Sequence, residues 1–121
     1  MDQRTSKPDQ QRDALLRLTL YYNGLVERSP ADIVVDFIFI SDEKAEYVEQ
    51  VHGVTTADIW SIFSLAPRYF VDDRGRYSMV GLSENRRYLL VGLMPTDEAG
   101  TWRLITAYWL RQARGRRLYG A

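Results

Sequence analysis

The feature that most constrains this chain is a change of hydrophobic period at Pro67. Just before it, Ile59, Ile62, Phe63 and Ala66 recur at helical spacing and share one helical face. After it the period drops to two, in short runs rich in β-branched and aromatic residues. Helices followed by a meander of strands bury their apolar faces by packing as layers. The expectation is an α+β domain: a small antiparallel sheet, two helices before it and one after it.

The boundaries follow from local chemistry. Ser41 is placed to accept hydrogen bonds from the first turn of a helix ending near Val51, with Asp42 and Glu43 at the positive end of its dipole. His52-Gly53 stops it. Thr55 and Asp58 have capping-box spacing for the next helix, which Pro67 ends. Strands are expected over residues 69–71, 76–82, 87–94 and 102–107. Asp72-Asp73-Arg74-Gly75 and Ser83-Glu84-Asn85 read as turns. A closing helix over 109–119 carries Arg111, Arg114, Arg116 and Arg117, and Gly115 costs it about 1 kcal/mol against alanine.

Upstream, residues 33–40 (IVVDFIFI) read as one strand, and Ser29-Pro30 as a turn. Residues 12–26 read as a helix, with a strand over 16–22 as the alternative. Residues 1–11 read as a weakly ordered tail. The expected organisation is a single domain over 12–121, with 12–31 a helical extension of a core at 32–121. The leucines at 15, 16, 18, 20 and 25 require burial, on the sheet or against a second copy of the chain, which makes a homodimer through the extension one expectation.

Composition narrows the chemistry. The chain has 121 residues, 45% of them hydrophobic, enough for a real core. It has no cysteine and one histidine, which excludes disulfides, thiolate zinc sites and cysteine nucleophiles. No cofactor and no metal is expected. No apolar run approaches the ~20 residues that span a bilayer, so a soluble cytoplasmic protein with no membrane association is expected. Net charge is zero but unevenly placed. Residues 1–60 hold 6 Lys+Arg against 11 Asp+Glu; residues 61–121 hold 10 Arg against 5 Asp+Glu. Arginine suits bidentate phosphate contacts, so a basic second half points to an anionic partner, or to pairing between the halves.

An ordered series of motifs adds to this. His52-Gly53-Val54 joins the two helices, and Ile62-Phe63 sits in the second. Arg76-Tyr77 opens a strand running through Gly81, and Arg87-Tyr88-Leu89-Leu90-Val91 follows. Arg103-Leu104-Ile105-Thr106-Ala107 comes next, then an arginine-rich segment ending in Tyr119. Over about two thirds of the chain this series resembles the BrnT-type toxins of bacterial toxin–antitoxin pairs, which share the RelE-like fold. The resemblance implies a ribonuclease toxin neutralised by a cognate antitoxin protein, with RNA as substrate. The chain departs from the pattern in residues 1–32, in Val51 where a cation usually precedes His-Gly, and in Tyr108 where an arginine usually stands. Lys44 is the one cation of its helix.

Such toxins make a 2′-hydroxyl attack the adjacent phosphate. The reaction needs a base for the 2′-proton, donors for the charge on the phosphorane and an acid for the leaving 5′-oxygen. His52 is the candidate base, since histidine ordinarily titrates near neutrality. Arg76, Arg87 and Arg103, on three expected strands, are the candidate phosphate clamp. Lys44, Tyr108, Arg111 and Arg114 are candidate RNA-binding residues. Plainer roles compete: a junction histidine, strand arginines paired with carboxylates, a core tyrosine and a solvated helix face. If catalysis is lost, the chain is instead a protein-interaction module of the same fold.

Overall fold

A computed structural model describes residues 28–120. Its element order is β1 (Arg28–Pro30), β2 (Phe37–Phe39), α1 (Asp42–His52), α2 (Thr56–Phe63), β3 (Arg68–Asp72), β4 (Tyr77–Leu82), β5 (Tyr88–Pro95), β6 (Thr101–Trp109) and α3 (Gln112–Tyr119). The helix expected over 12–26 lies outside the described residues; the end of the expected extension is described, and there Arg28–Pro30 form a strand paired with β3.

The six strands form one sheet in the order β1-β3-β4-β5-β6-β2. The chain is α+β as expected, but the sheet is mixed. β3 to β6 form the antiparallel meander, whereas β2 runs parallel to β6, with Ile38 opposite Trp102. The crossover from β2 to the meander carries α1 and α2, which lets a parallel neighbour close that edge. Residues 33–40 are not one strand; only three of them pair. Ile33, Val35 and Ile40 pack against the core without joining the ladder, so the apolar density reflected burial more than pairing. Ser29-Pro30 belongs to β1, at the sheet edge, where proline's missing N–H costs no ladder bond.

Local chemistry sets the helix ends as read. Ser41 Oγ accepts from Lys44 N, and Gly53 caps α1 in the left-handed region at φ 66°. Thr55 and Asp58 form a reciprocal capping box on α2. The closing helix starts later than expected, because β6 continues through Trp109 and Leu110 N still donates to Tyr88 O.

The sheet separates two apolar clusters. On one face α1 and α2 cover Met79, Leu89, Val91, Leu104 and Ala107, with Val48, Ile59 and Ile62 as the helical contribution. On the other, α3 brings Leu118 and Tyr119 onto Phe70, Val80, Tyr88 and Leu90. α3 has eight residues and covers only part of that face. Beside it lies a groove of about 320 Å³.

Candidate functional site

His52 ends α1, and its ring reaches the edge of β6. The imidazole lies 5.9 Å from the Tyr108 ring and 5.5 Å from the Tyr47 ring, centroid to centroid. The Tyr47 hydroxyl and His52 Nε2 are 3.4 Å apart. β2 pairs with β6 only as far as Arg103, so the stretch of β6 carrying Tyr108 has no further strand beside it among the described residues.

Tyr108 points to the other side of the sheet from Trp109, as alternation requires. Its hydroxyl accepts a hydrogen bond from Arg28 at 3.5 Å, and the Arg114 guanidinium lies near enough to interact with it. Arg114 is part-buried; that burial, with the charges of Arg28 and Arg117, pulls its pKa below the usual arginine value, while Tyr108 opposes the shift. Arginine remains cationic at neutral pH even so. The phenol therefore stands between a histidine and converging positive charge.

Trp109 faces the helices, and its indole Nε1 donates to Gly53 O at 3.2 Å, fixing the residue after His52. The Arg87 guanidinium lies 4.1 Å from the Trp109 ring centroid. His52, Tyr108, Arg114 and, across Trp109, Arg87 thus gather at one corner.

The other expected site residues do not join them. Arg76 immediately precedes the Tyr77–Leu93 pair, and Arg103 pairs with Met94, so both lie at the far end of β5 from Arg87. The three arginines do not form one clamp. Arg76 Nε donates to the Asp72 carboxylate at 2.8 Å. Arg103 lies 5.5 Å over the Phe39 ring. Lys44 sits in the first turn of α1 over Tyr47, eight residues and about 12 Å of helix from His52. Arg111 is exposed at the N-cap of α3. Tyr119 is occupied structurally, its hydroxyl donating to Ala66 O at 3.0 Å.

Two contributors escaped the sequence reading. Tyr47 carried no signal beyond its place on the helix that His52 ends. Arg28 fell in the expected extension, just before the pair read as a turn, and only its pairing beside β3 brings it to Tyr108.

The corner offers an imidazole, a phenolic hydroxyl and cationic donors near that hydroxyl. Those are the parts needed to bind a phosphodiester and move protons on it. Among the described residues no cluster of three or more histidine, aspartate or glutamate side chains is placed to hold a metal, and no helix is long and apolar enough to cross a membrane. No known family's sequence model matches the chain, and no curated protein matches it.

Proposed function

We propose that this chain is a ribonuclease toxin of a toxin–antitoxin pair, built on a RelE-like arrangement, that cleaves RNA at the corner where His52 meets Tyr108. The observation that carries this reading is the 5.9 Å approach of those two rings beside the Arg28–Arg114 pair. His52 takes the proton from the 2′-hydroxyl as its oxygen attacks the adjacent phosphorus. Arg114 stabilises the charge on the phosphorane. Tyr108, its hydroxyl accepting from Arg28 and lying near Arg114, donates its phenolic proton to the 5′-oxygen as the P–O5′ bond breaks. The products are a 2′,3′-cyclic phosphate and a 5′-hydroxyl, and proton return from His52 through solvent resets the site. A cognate antitoxin that covers this corner would silence it by excluding substrate.

The test is incubation of the purified chain with single-stranded RNA in excess chelator. Expected are fragments ending in 2′,3′-cyclic phosphate, with His52→Ala slowed by about 10²–10⁴-fold while keeping its circular dichroism. RNA left intact by well-folded wild-type protein rejects the proposal.

A second reading has its own observation. Phe37 and Phe39 on edge strand β2 are 50% and 45% exposed, and Trp60 beside Phe37 is 37% exposed. An apolar sheet edge of this kind suits a protein partner. A chain that leaves RNA intact yet captures a partner through Phe37 would be an interaction module of the same fold.

A further inference from the structure

The groove beside α3 is floored by an unusual row. Ser78, Gly92 and Thr106 stand opposite one another on β4, β5 and β6. At about 4.8 Å between strands the row is roughly 10 Å wide. Small side chains there leave a flat hollow on an otherwise bulky sheet, with Leu90 and Tyr108 forming a wall on one side. Gly92 is part of the reason: a Cβ at that position would already meet Thr106 Cγ2 at 3.1 Å, and anything longer would fill the hollow. A register shift between Gly92 and Leu93 turns both Ile105 and Thr106 toward the groove.

The floor also carries an unanswered polar group. Ser78 is 4% exposed, and its Oγ finds no hydrogen-bond partner among the described residues. A buried hydroxyl without a partner costs free energy that a ligand's hydrogen bond would recover. Arg28 and Arg76 stand at the groove margin, Arg76 anchored through its Nε on Asp72. The hollow is thus apolar and flat, with a polar point on its floor and cations at its rim. Its volume is at the small end of the range for ligand sites.

We propose that this groove is a nucleobase subsite: one base of the RNA lies over Gly92, takes a hydrogen bond from the Ser78 hydroxyl, and packs against Tyr108. The inference rests on the reading of the chain as RNA-cleaving and assigns that site its means of choosing sequence. Tyr108 joins the two, since its ring walls the groove and lies 5.9 Å from the His52 ring, while its hydroxyl accepts from Arg28 at the groove margin. A base held there delivers its own phosphate to the corner. Planar stacking with a single edge contact is how unpaired RNA bases are ordinarily read.

The experiment is amide-shift mapping on the full chain, titrated with each of the four ribonucleoside 3′-monophosphates and, separately, with inorganic phosphate. Expected are shifts at Ser78, Gly92 and Thr106 that differ between bases and that inorganic phosphate does not produce. Ser78→Ala should weaken the preferred nucleotide about fivefold without loss of fold, since it removes only an unpaired hydroxyl. Gly92→Leu should abolish the groove shifts; if that variant unfolds, Ser78→Ala decides. Shifts identical for all bases and for phosphate overturn the subsite, as does an unchanged affinity in Ser78→Ala. Intact RNA alongside base-dependent groove shifts would instead overturn the cleavage reading and leave the subsite standing.

Discussion

Gly115 of α3 packs directly on the Tyr88 side chain, so closely that a Cβ would collide with its Cβ, Cγ and Cδ2. The glycine lies in helical backbone and is buried, so what it supplies is absence of bulk. This contact seats α3 on the sheet and places Arg114, one residue earlier, against Tyr108. Helix propensity alone says that Gly115→Ala should stabilise by about 1 kcal/mol. The packing says that it forces α3 off Tyr88, at about 1–3 kcal/mol or more. The expected outcome is a net loss of about 1–2 kcal/mol in urea unfolding at an unchanged slope, the packing cost falling in the upper part of its range. A gain in stability would mean that α3 does not sit on Tyr88.

Asp72 makes the β3–β4 turn pH-sensitive. Burial pushes its carboxyl pKa up, but hydrogen bonds from Arg76 N, Arg74 N and the Arg76 guanidinium outweigh this and hold it below the usual carboxylate value. A folded pKa depressed in this way adds stability above the unfolded value of about 3.9, lost as pH falls through the folded value. Asp72→Asn should cost about 1–3 kcal/mol at neutral pH, since an amide meets those donors poorly. The gap between wild type and variant should close as unfolding is measured progressively below pH 4. A gap that persists there would place the effect in shape and not in charge.

How much of this was legible beforehand divides by range. Caps and turns are local, so Ser41, Thr55–Asp58, Gly53 and Gly75 were readable from neighbours a few residues away. The meander was readable because each strand pairs with the next. The parallel pairing of β2 with β6 joins residues more than sixty positions apart and leaves no local mark. The site divides likewise. His52, Tyr108 and Arg114 were singled out one by one, and their proximity was not foreseen; the clamp of Arg76, Arg87 and Arg103 dissolved because arginines at similar places in successive strands fall at opposite ends of an antiparallel sheet. The small-residue row at Ser78, Gly92 and Thr106 needs three registers at once and was invisible in sequence.

Arg114 should contribute to RNA binding through charge. Replacing it with glutamine keeps a polar side chain but removes one cation from beside Tyr108. The expected result is weaker binding across all sequences and a salt-dependence slope shallower by about 1. Fluorescence anisotropy of a labelled single strand at several salt concentrations measures both. An unchanged slope would place Arg114 outside the phosphate path.

Arg103 gives the sharpest separation between the corner and the rest of the groove face. From Arg87 to Met94 is seven residues of extended chain, roughly 23 Å, and Arg103 pairs with Met94. Arg103 is therefore remote from His52, and under the proposed mechanism it would meet a phosphate of a longer RNA and not the scissile one. Under the proposed mechanism Arg103→Ala should leave the rate on a dinucleotide within about twofold of wild type, because that mechanism assigns proton transfer and charge stabilisation to His52, Tyr108 and Arg114. On a longer strand the same variant should bind less tightly and lose about 1 from its salt slope. Arg87→Ala should behave differently, since its guanidinium stacks on Trp109: a stability loss of about 0.5–1 kcal/mol, with displacement of the Trp109–Gly53 contact that holds His52. A dinucleotide rate that collapses in Arg103→Ala and survives in Arg87→Ala would move the reacting phosphate to the far end of β5, away from His52.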